Sequence, residues 1–237
     1  MQFSMKELRA MPVSKIYTDG SYAIATGGTW HAEDSVFKSR QVLRMLGRHP
    51  EISFGSICDI GCGAGGVLAE IDRSLDSAVR LTGYEVSPQA HSINRHHSAS
   101  RCEFILGDPF ADDRFFDLAL ALDVIEHVED CFSFLRECAA KAAWKIYHIP
   151  LDASASTLLR GADCWDSVGH LHLFTRETAL KTVEHSGQRV LDWFLTPVSL
   201  ERPHRPATRL TNFPRRMLPE WLGSRIFGGY SIMILAR

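Results

Sequence analysis

The sequence predicts an α/β protein in which a mostly parallel sheet carries helices on both faces. The first observation is that short apolar strands alternate with helical patterns from Phe54 to Leu195, as in sheets joined by crossover helices. The second is that the strand Ser56 to Ile60 leads directly into a glycine-rich turn and then into an apolar-periodic helix. This strand–turn–helix unit is typical of sheets that bind a ligand at the carboxyl ends of their strands.

Caps and apolar periodicity place the elements along the chain. A helix is expected from about Ser35 to Leu46, with Asp34 or Ser35 as cap and Gly47 as the end. Its apolar face consists of Val36, Val42, Leu43 and Leu46. Later helices are expected to start at Ser87-Pro88, to span Cys131 to Ala143, and to run from a Thr175 cap to Gly187. The other strands are expected at 79–84, 102–106, 116–123, 144–149, 190–195 and 230–236, with a loop at 151–174.

Charge and hydropathy exclude several classes of protein. The formal net charge of −2 provides no basic field that would attract nucleic acid. No apolar run approaches the roughly 20 residues of a transmembrane helix, and residues 1–12 lack the apolar core of a signal peptide. The six cysteines form no C-x-x-C pair, which favours reduced thiols. We therefore expect a cytoplasmic protein with no membrane span. A nucleic-acid partner is not expected, although RNA and protein acceptors stay open as alternatives.

The turn after the first strand fits two nucleotide-binding patterns. Gly61, Gly63 and Gly66 satisfy the G-x-G-x-x-G spacing of dinucleotide-binding proteins. Gly61, Gly63 and Gly65, with Asp59 two residues ahead, satisfy an acidic-x-G-x-G-x-G pattern. Glycine suits a nucleotide-like ligand in both patterns, because it adopts positive φ and allows a ligand to approach the backbone closely. The glycines alone therefore do not decide which cofactor binds.

Acidic residues follow the next three strands. Glu85 ends the second strand, where a carboxylate accepts hydrogen bonds from ribose hydroxyls. Asp108-Pro109 follows the third strand, and Asp123 ends the fourth. The carboxyl ends of parallel strands meet at one edge of the sheet, so these acids are expected to share one crevice.

These segments, with Val124-Ile125-Glu126-His127-Val128 after the fourth strand and His172-Leu173-Phe174-Thr175 further on, resemble a known family. They are similar in order and spacing to class I S-adenosylmethionine-dependent methyltransferases of small-molecule type, including ubiquinone-pathway relatives. The resemblance covers roughly residues 55 to 197. It implies a Rossmann-like seven-stranded sheet, mostly parallel with the last strand antiparallel, with S-adenosylmethionine as donor and S-adenosylhomocysteine as product.

The resemblance also implies where the donor would lie. Asp59 would stand beside its amino group, Glu85 would hold the ribose, and Asp108 would take the adenine amino group. N-terminal segments in this family often fold over the donor, which makes Trp30 a candidate lid residue. The other expected cofactor contacts are Gly61, Cys62, Gly63, Gly65, Val86, Pro109, Asp123, Val124 and His127.

A general base is needed only where the acceptor carries a proton that it does not lose unaided, as a hydroxyl does. Histidine titrates near working pH, and the candidates are His127, His148, His170 and His172. The resemblance makes His127 part of the cofactor-side turn, so His170 and His172 are the catalytic candidates. No metal site is expected; the alternative considered is His170-x-His172 with Asp163 or Asp166.

We expect transfer to an oxygen or nitrogen atom of a small-molecule or glycan-like acceptor. Residues 197–228 carry six arginines against two glutamates, which favours an anionic acceptor, or simply a solvated face with ion pairs. The alternatives for function are an NAD-dependent oxidoreductase and a non-catalytic S-adenosylmethionine-binding module. The expected organisation is one domain over 1–237, divided into a lid and helix region at 1–48, a cofactor-binding core at 54–197, an Arg-rich insert at 198–228 and a last strand at 229–237.

Overall fold

The computed structural model describes residues 32–94, 101–160, 169–201 and 217–237. Several predictions fall on residues outside these ranges. They are the lid residue Trp30, the alternative metal ligands Asp163 and Asp166, and the arginines of the insert other than Arg225.

In the described part of the chain, seven strands form a single sheet. They are β1 (Ser56–Ile60), β2 (Arg80–Glu85), β3 (Cys102–Leu106), β4 (Phe116–Leu122), β5 (Ala142–Pro150), β6 (Val190–Thr196) and β7 (Ser231–Ala236). Their order across the sheet is β3-β2-β1-β4-β5-β7-β6. The first five strands pair in parallel, and β7 is antiparallel to both β5 and β6. The predicted mostly parallel sheet with an antiparallel last strand is confirmed.

Helices cover both faces of this sheet. They are α1 (Ser35–Arg48), α2 (Gly66–Asp72), α3 (Pro88–Asn94), α4 (Cys131–Lys141), α5 (Ala155–Arg160), α6 (Arg176–His185), α7 (Val198–Glu201) and α8 (Glu220–Phe227). Among the described residues, no helix combines the length and apolarity needed to cross a bilayer.

The sheet separates two apolar cores because strand side chains alternate between its faces. In β4, Leu118 and Leu120 lie in the core shared with α1 and α2, whereas Ala119 and Ala121 lie in the core shared with α4 and α6. Both faces of the central strands are therefore buried.

Several expected boundaries and contacts are corrected. In α1, Val36 is 53% exposed, and Phe37 and Met45 fill the buried face with Val42. The helix runs past Gly47 to Arg48, and the Asp34 side chain accepts no capping hydrogen bond. The expected loop at 151–174 contains a short helix, α5, and β5 begins two residues earlier than expected, at the expense of α4.

Candidate functional site

The glycine turn between β1 and α2 has left-handed backbone at three positions. Gly61, Gly63 and Gly65 have φ values of 73°, 54° and 78°. At Gly65 a side chain is also excluded by space, because a Cβ there would lie 2.7 Å from the Phe104 ring and 2.8 Å from Cβ of Asn94. The glycine spacing therefore serves both conformation and packing.

The turn is held from behind by buried groups. The backbone N–H groups of Gly61 and Cys62 both donate to the carbonyl of Tyr84 in β2, at 2.9 Å. The Asn94 amide, fully buried, donates to the carbonyl of Gly63 at 3.2 Å and lies 3.8 Å from Sγ of Cys62. The Cys62 side chain is thus buried under the turn.

Glu85 braces the turn from the end of β2. Its two carboxylate oxygens accept from the backbone N–H groups of Gly63 and Ser87, each at 2.8 Å. Burial raises the pKa of Glu85, and the two N–H donors oppose that shift. Each oxygen keeps further acceptor capacity, so the carboxylate can hold the loop and hydroxyl groups of a ligand together. Sequence reasoning placed Glu85 at the site but missed its bond to the turn.

Asp59 lies at the end of β1, beside the same turn. Its side chain is only 2% exposed. Burial, together with the Glu85 charge, raises the pKa of Asp59 to about 7, although Lys38 acts in the opposite direction. A carboxylate this far from water is stabilised by a cationic or hydrogen-bond-donating ligand.

Asp108 is the exposed acid of the set. It follows β3, and its side chain accepts from the backbone N–H of Phe110 at 2.9 Å, which caps a short 3-10 turn beginning at the buried Pro109. Val86, after β2, is half-buried. Asp108 and Val86 thus follow neighbouring strands at the same edge of the sheet.

Asp123, at the end of β4, is held in a left-handed conformation with φ 58°. Its carboxylate contacts Nδ1 of His148 at 2.6 Å and Nζ of Lys38 at 2.7 Å. Burial opposes ionisation of Asp123, but His148 and Lys38 hold its pKa well below the ordinary range. Val124 packs over the glycine turn, with a methyl group 2.9 Å from the place where Gly61 would carry a Cβ.

The contacts of the histidine side chains differ from those that their spacing in the sequence suggests. Nε2 of His172 lies 2.8 Å from the carbonyl of Val128. His170 instead contacts the Asp152 carboxylate through Nδ1 at 2.7 Å, and its ring meets the ring of His127 edge-on at 4.8 Å. Burial, mainly, lowers the pKa of His127 to about 4. His170 thus contacts Asp152 and His127, whereas His172 contacts Val128. The alternative metal site of His170 and His172 with Asp163 or Asp166 is not tested, because both aspartates lie outside the described residues.

Two charged residues at this edge of the sheet were not predicted from the sequence as site residues. Lys38 comes from α1 and pairs with Asp123, and Glu126 is fully buried next to His127. A lysine in an amphipathic helix and a glutamate in a turn resemble ordinary surface residues. Only their contacts across the chain reveal their position.

A seven-stranded sheet of this order, with a glycine turn and acids at successive strand ends, defines the class I methyltransferase fold. The chain belongs to the methyltransferase-domain family, which matches residues 30–192. The predicted family is confirmed, and the match favours the methyltransferase interpretation of the glycines over the dinucleotide one.

Curated relatives are similar over part of their length. Ajmaline N-methyltransferase from Rauvolfia serpentina is 32% identical over 103 residues, which is 40% of this chain and 34% of that protein. Ubiquinone biosynthesis O-methyltransferase from Idiomarina loihiensis is 26% identical over 152 residues, 58% of this chain and 61% of that protein. The chain thus spans between about a third and three fifths of the length of these relatives.

Solved structures share the fold at low identity. Magnesium protoporphyrin IX methyltransferase from Synechocystis PCC 6803, with bound S-adenosylhomocysteine, superposes with a TM-score of 0.59 at 12% identity and covers 100% of this chain and 89% of its own. The cyclase SpnF also gives a TM-score of 0.59, at 19% identity, covering 84% and 80%. The fold therefore also occurs in a protein named for a different reaction, and residues rather than topology must decide function.

Proposed function

We propose that this chain transfers a methyl group from S-adenosylmethionine to an oxygen or nitrogen atom of a small-molecule or glycan-like acceptor. The observation that carries the proposal is the pair of buried carboxylates, Asp59 and Glu85, flanking a glycine turn in a chain of the methyltransferase family. A buried carboxylate is costly unless it is paired or hydrogen-bonded, and a ligand can supply further partners of both kinds. The donor offers an ammonium group and ribose hydroxyls, which match these two acids.

The proposed donor position follows the ends of β1 to β4. The methionine part would lie over Gly61, Gly63 and Gly65 with its ammonium near Asp59. The ribose would bind Glu85. The adenine would lie between Val86 and Asp108-Pro109, and the backbone of Cys62 would border the sugar. Asp123, Val124 and His127 would close the methionine end, and Trp30 is proposed as the lid.

Methyl transfer from a sulfonium is chiefly a matter of positioning, because the donor is already activated by its positive charge. His170 and His172 are both proposed to face the acceptor. The Asp152 carboxylate orients the His170 ring, whereas a ring nitrogen of His172 is engaged by the Val128 carbonyl. These contacts favour His170 as the group that acts on the acceptor.

An anionic acceptor is proposed from the Arg-rich insert. β6 runs in the same direction as β5, since both are antiparallel to β7, so the insert leaves β6 at the ligand edge. Arg225, the described arginine of this insert, pairs with Glu177 at 2.7 Å. That pair favours a structural role for Arg225 and leaves acceptor binding to the other arginines of the segment.

Calorimetric titration with S-adenosylmethionine, S-adenosylhomocysteine and NAD tests the donor site. We expect the first two to bind and NAD not to bind. Glu85→Ala and Asp108→Ala should each weaken donor binding by about tenfold or more, as expected when a hydrogen bond to a charged group is lost. Glu103→Ala is the matched control, because Glu103 is an exposed acid on β3 that pairs with Arg114.

Binding of NAD alone, or unchanged donor affinity in both variants, would overturn the proposed donor site. Donor binding by itself also suits a non-catalytic binding module. Formation of S-adenosylhomocysteine in the presence of candidate hydroxyl and amine acceptors, anionic ones first, therefore has to be measured separately.

A further inference from the structure

We propose that Glu126, His127 and His170 form a binding site for one divalent transition-metal cation next to the donor crevice. One ligand atom from each residue lies within 4.8 Å of the others. Glu126 and His127 belong to the turn after β4, and His170 lies shortly before α6, with its ring against that of His127. The proposed ligands therefore come from two distant parts of the chain.

Glu126 provides the first argument. Its side chain is fully buried, and neither carboxylate oxygen has a hydrogen-bond partner among the described residues. Buried polar atoms are nearly always satisfied, because leaving a carboxylate without a partner is costly. Its backbone is nevertheless firmly held, since its carbonyl accepts from the N–H groups of Leu171 and His172 at 2.7 Å and 3.1 Å. The backbone of Glu126 is thus held in place, while its carboxylate accepts no hydrogen bond from the described residues.

The orientation of the two imidazole rings provides the second argument. Nδ1 of His127 lies 2.9 Å from the carbonyl of Gly169, which turns Nε2 towards Glu126 at 3.8 Å. Nδ1 of His170 lies 2.7 Å from the Asp152 carboxylate. Metal-binding histidines characteristically donate their second ring N–H to a carbonyl or a carboxylate, which fixes the tautomer of the binding nitrogen. Here the Gly169 carbonyl is the partner of His127, and the Asp152 carboxylate is the partner of His170.

The donor set indicates the class of cation. Two imidazole nitrogens and one carboxylate oxygen suit Zn²⁺ and neighbouring divalent transition metals better than Mg²⁺ or Ca²⁺, which prefer oxygen ligands. Zn–N and Zn–O bonds of about 2 Å place tetrahedral ligand atoms roughly 3.3 Å apart, so side-chain movements of about 1 Å would close the cluster. Three protein ligands leave at least one position open.

The role of the cation rests on the proposed function. An acceptor hydroxyl bound at the open position would lose its proton to water more readily, because the cation lowers its pKa. Its oxygen would then form the new bond to the methyl carbon, while the electron pair of the C–S bond returns to sulfur and leaves S-adenosylhomocysteine. His170 would act on the acceptor through the cation.

The test is titration of the chelator-treated 237-residue chain with Co²⁺ and Zn²⁺, without donor or acceptor. We expect one equivalent to bind by calorimetry, and Co²⁺ to give visible absorption bands of an imidazole-containing site. Glu126→Gln and His170→Gln should each lower the affinity by at least about tenfold, the range found even for outer-sphere changes. The matched control is His185→Gln, a change at an exposed histidine at the end of α6 and outside the cluster, and it should bind as wild type.

Failure of the wild-type protein to bind one equivalent would overturn the proposal, and so would equal binding by wild type, Glu126→Gln and His170→Gln. Circular dichroism checks that each variant is folded, and His170, partly exposed, provides the second variant if the Glu126 change unfolds the protein. Titrating the same samples with S-adenosylmethionine distinguishes the two proposals. Donor binding without metal binding contradicts the cation site alone, whereas metal binding without donor binding contradicts the proposed function.

Discussion

Replacing Gly65 by alanine tests the packing of the glycine turn independently of any ligand. The backbone at Gly65 has φ 78°, and a non-glycine residue in the left-handed region costs about 1–2 kcal/mol. The added Cβ would also lie 2.7 Å from the Phe104 ring and 2.8 Å from Cβ of Asn94, which must both shift. Overpacking of this kind costs about 1–3 kcal/mol. We therefore expect Gly65→Ala to lower the free energy of unfolding by about 2–5 kcal/mol.

Gly187→Ala is the matched control, because it separates conformation from contact. Gly187 also has positive φ, 97°, but no atom lies within 4 Å of the place where its Cβ would be. It should lose only the conformational part, about 1–2 kcal/mol. Equilibrium urea unfolding followed by far-ultraviolet circular dichroism measures both variants, compared at equal m-values. A loss at Gly65 no larger than the loss at Gly187 would refute the close packing of Phe104 and Asn94 against the turn.

Two further predictions concern pH and helix capping. The pKa of Asp59 is about 7 in the folded protein against an ordinary value of 3.8, so the folded state binds the proton more tightly than the unfolded chain. Asp59 should therefore lower the free energy of unfolding as pH rises from about 4 to about 7, by at most about 4 kcal/mol. Asp59→Asn should flatten this dependence of the unfolding free energy on pH, measured by urea unfolding at several pH values. An unchanged dependence would contradict the burial of the Asp59 charge. The Thr175 side chain accepts a hydrogen bond from the N–H of Thr178 in a capping box at the start of α6. Thr175→Ala should therefore lower the free energy of unfolding by about 1 kcal/mol in the same assay, whereas Thr182→Ala, within the helix, should be nearly neutral. Equal losses of stability in the two variants would argue against the cap.

Local chemistry made several elements predictable. The predicted bounds of β1 and β3 agree with the structure. Each strand is a short apolar run, and the glycine turn after β1 and Gly107-Asp108 after β3 mark where the strand ends. Thr175 was correctly identified as a cap, since the hydroxyl and its N–H partner are only three residues apart. Interactions between residues that are close together in the chain can therefore be predicted from the sequence alone.

The rotation of α1 could not be predicted in the same way. Val36 and Phe37 are adjacent, and either could face the core on periodicity alone. Packing against α2 and the sheet buries Phe37 and leaves Val36 half exposed. The start of β5 was also misplaced, because the helical pattern of α4 continues into residues that pair with β4.

The sequence by itself determined the fold class and the family. It also placed the acids and glycines proposed for the donor at one edge of the sheet, because parallel strands bring their carboxyl ends together and each strand is followed by its own polar residue. Only the tertiary structure decided how these groups are charged and connected. It buries Glu126 without a partner among the described residues, pairs Lys38 with Asp123, and places His170 against His127 while turning His172 away. These contacts join residues far apart in the chain, and burial and distance, which set their chemistry, exist only once the chain has folded.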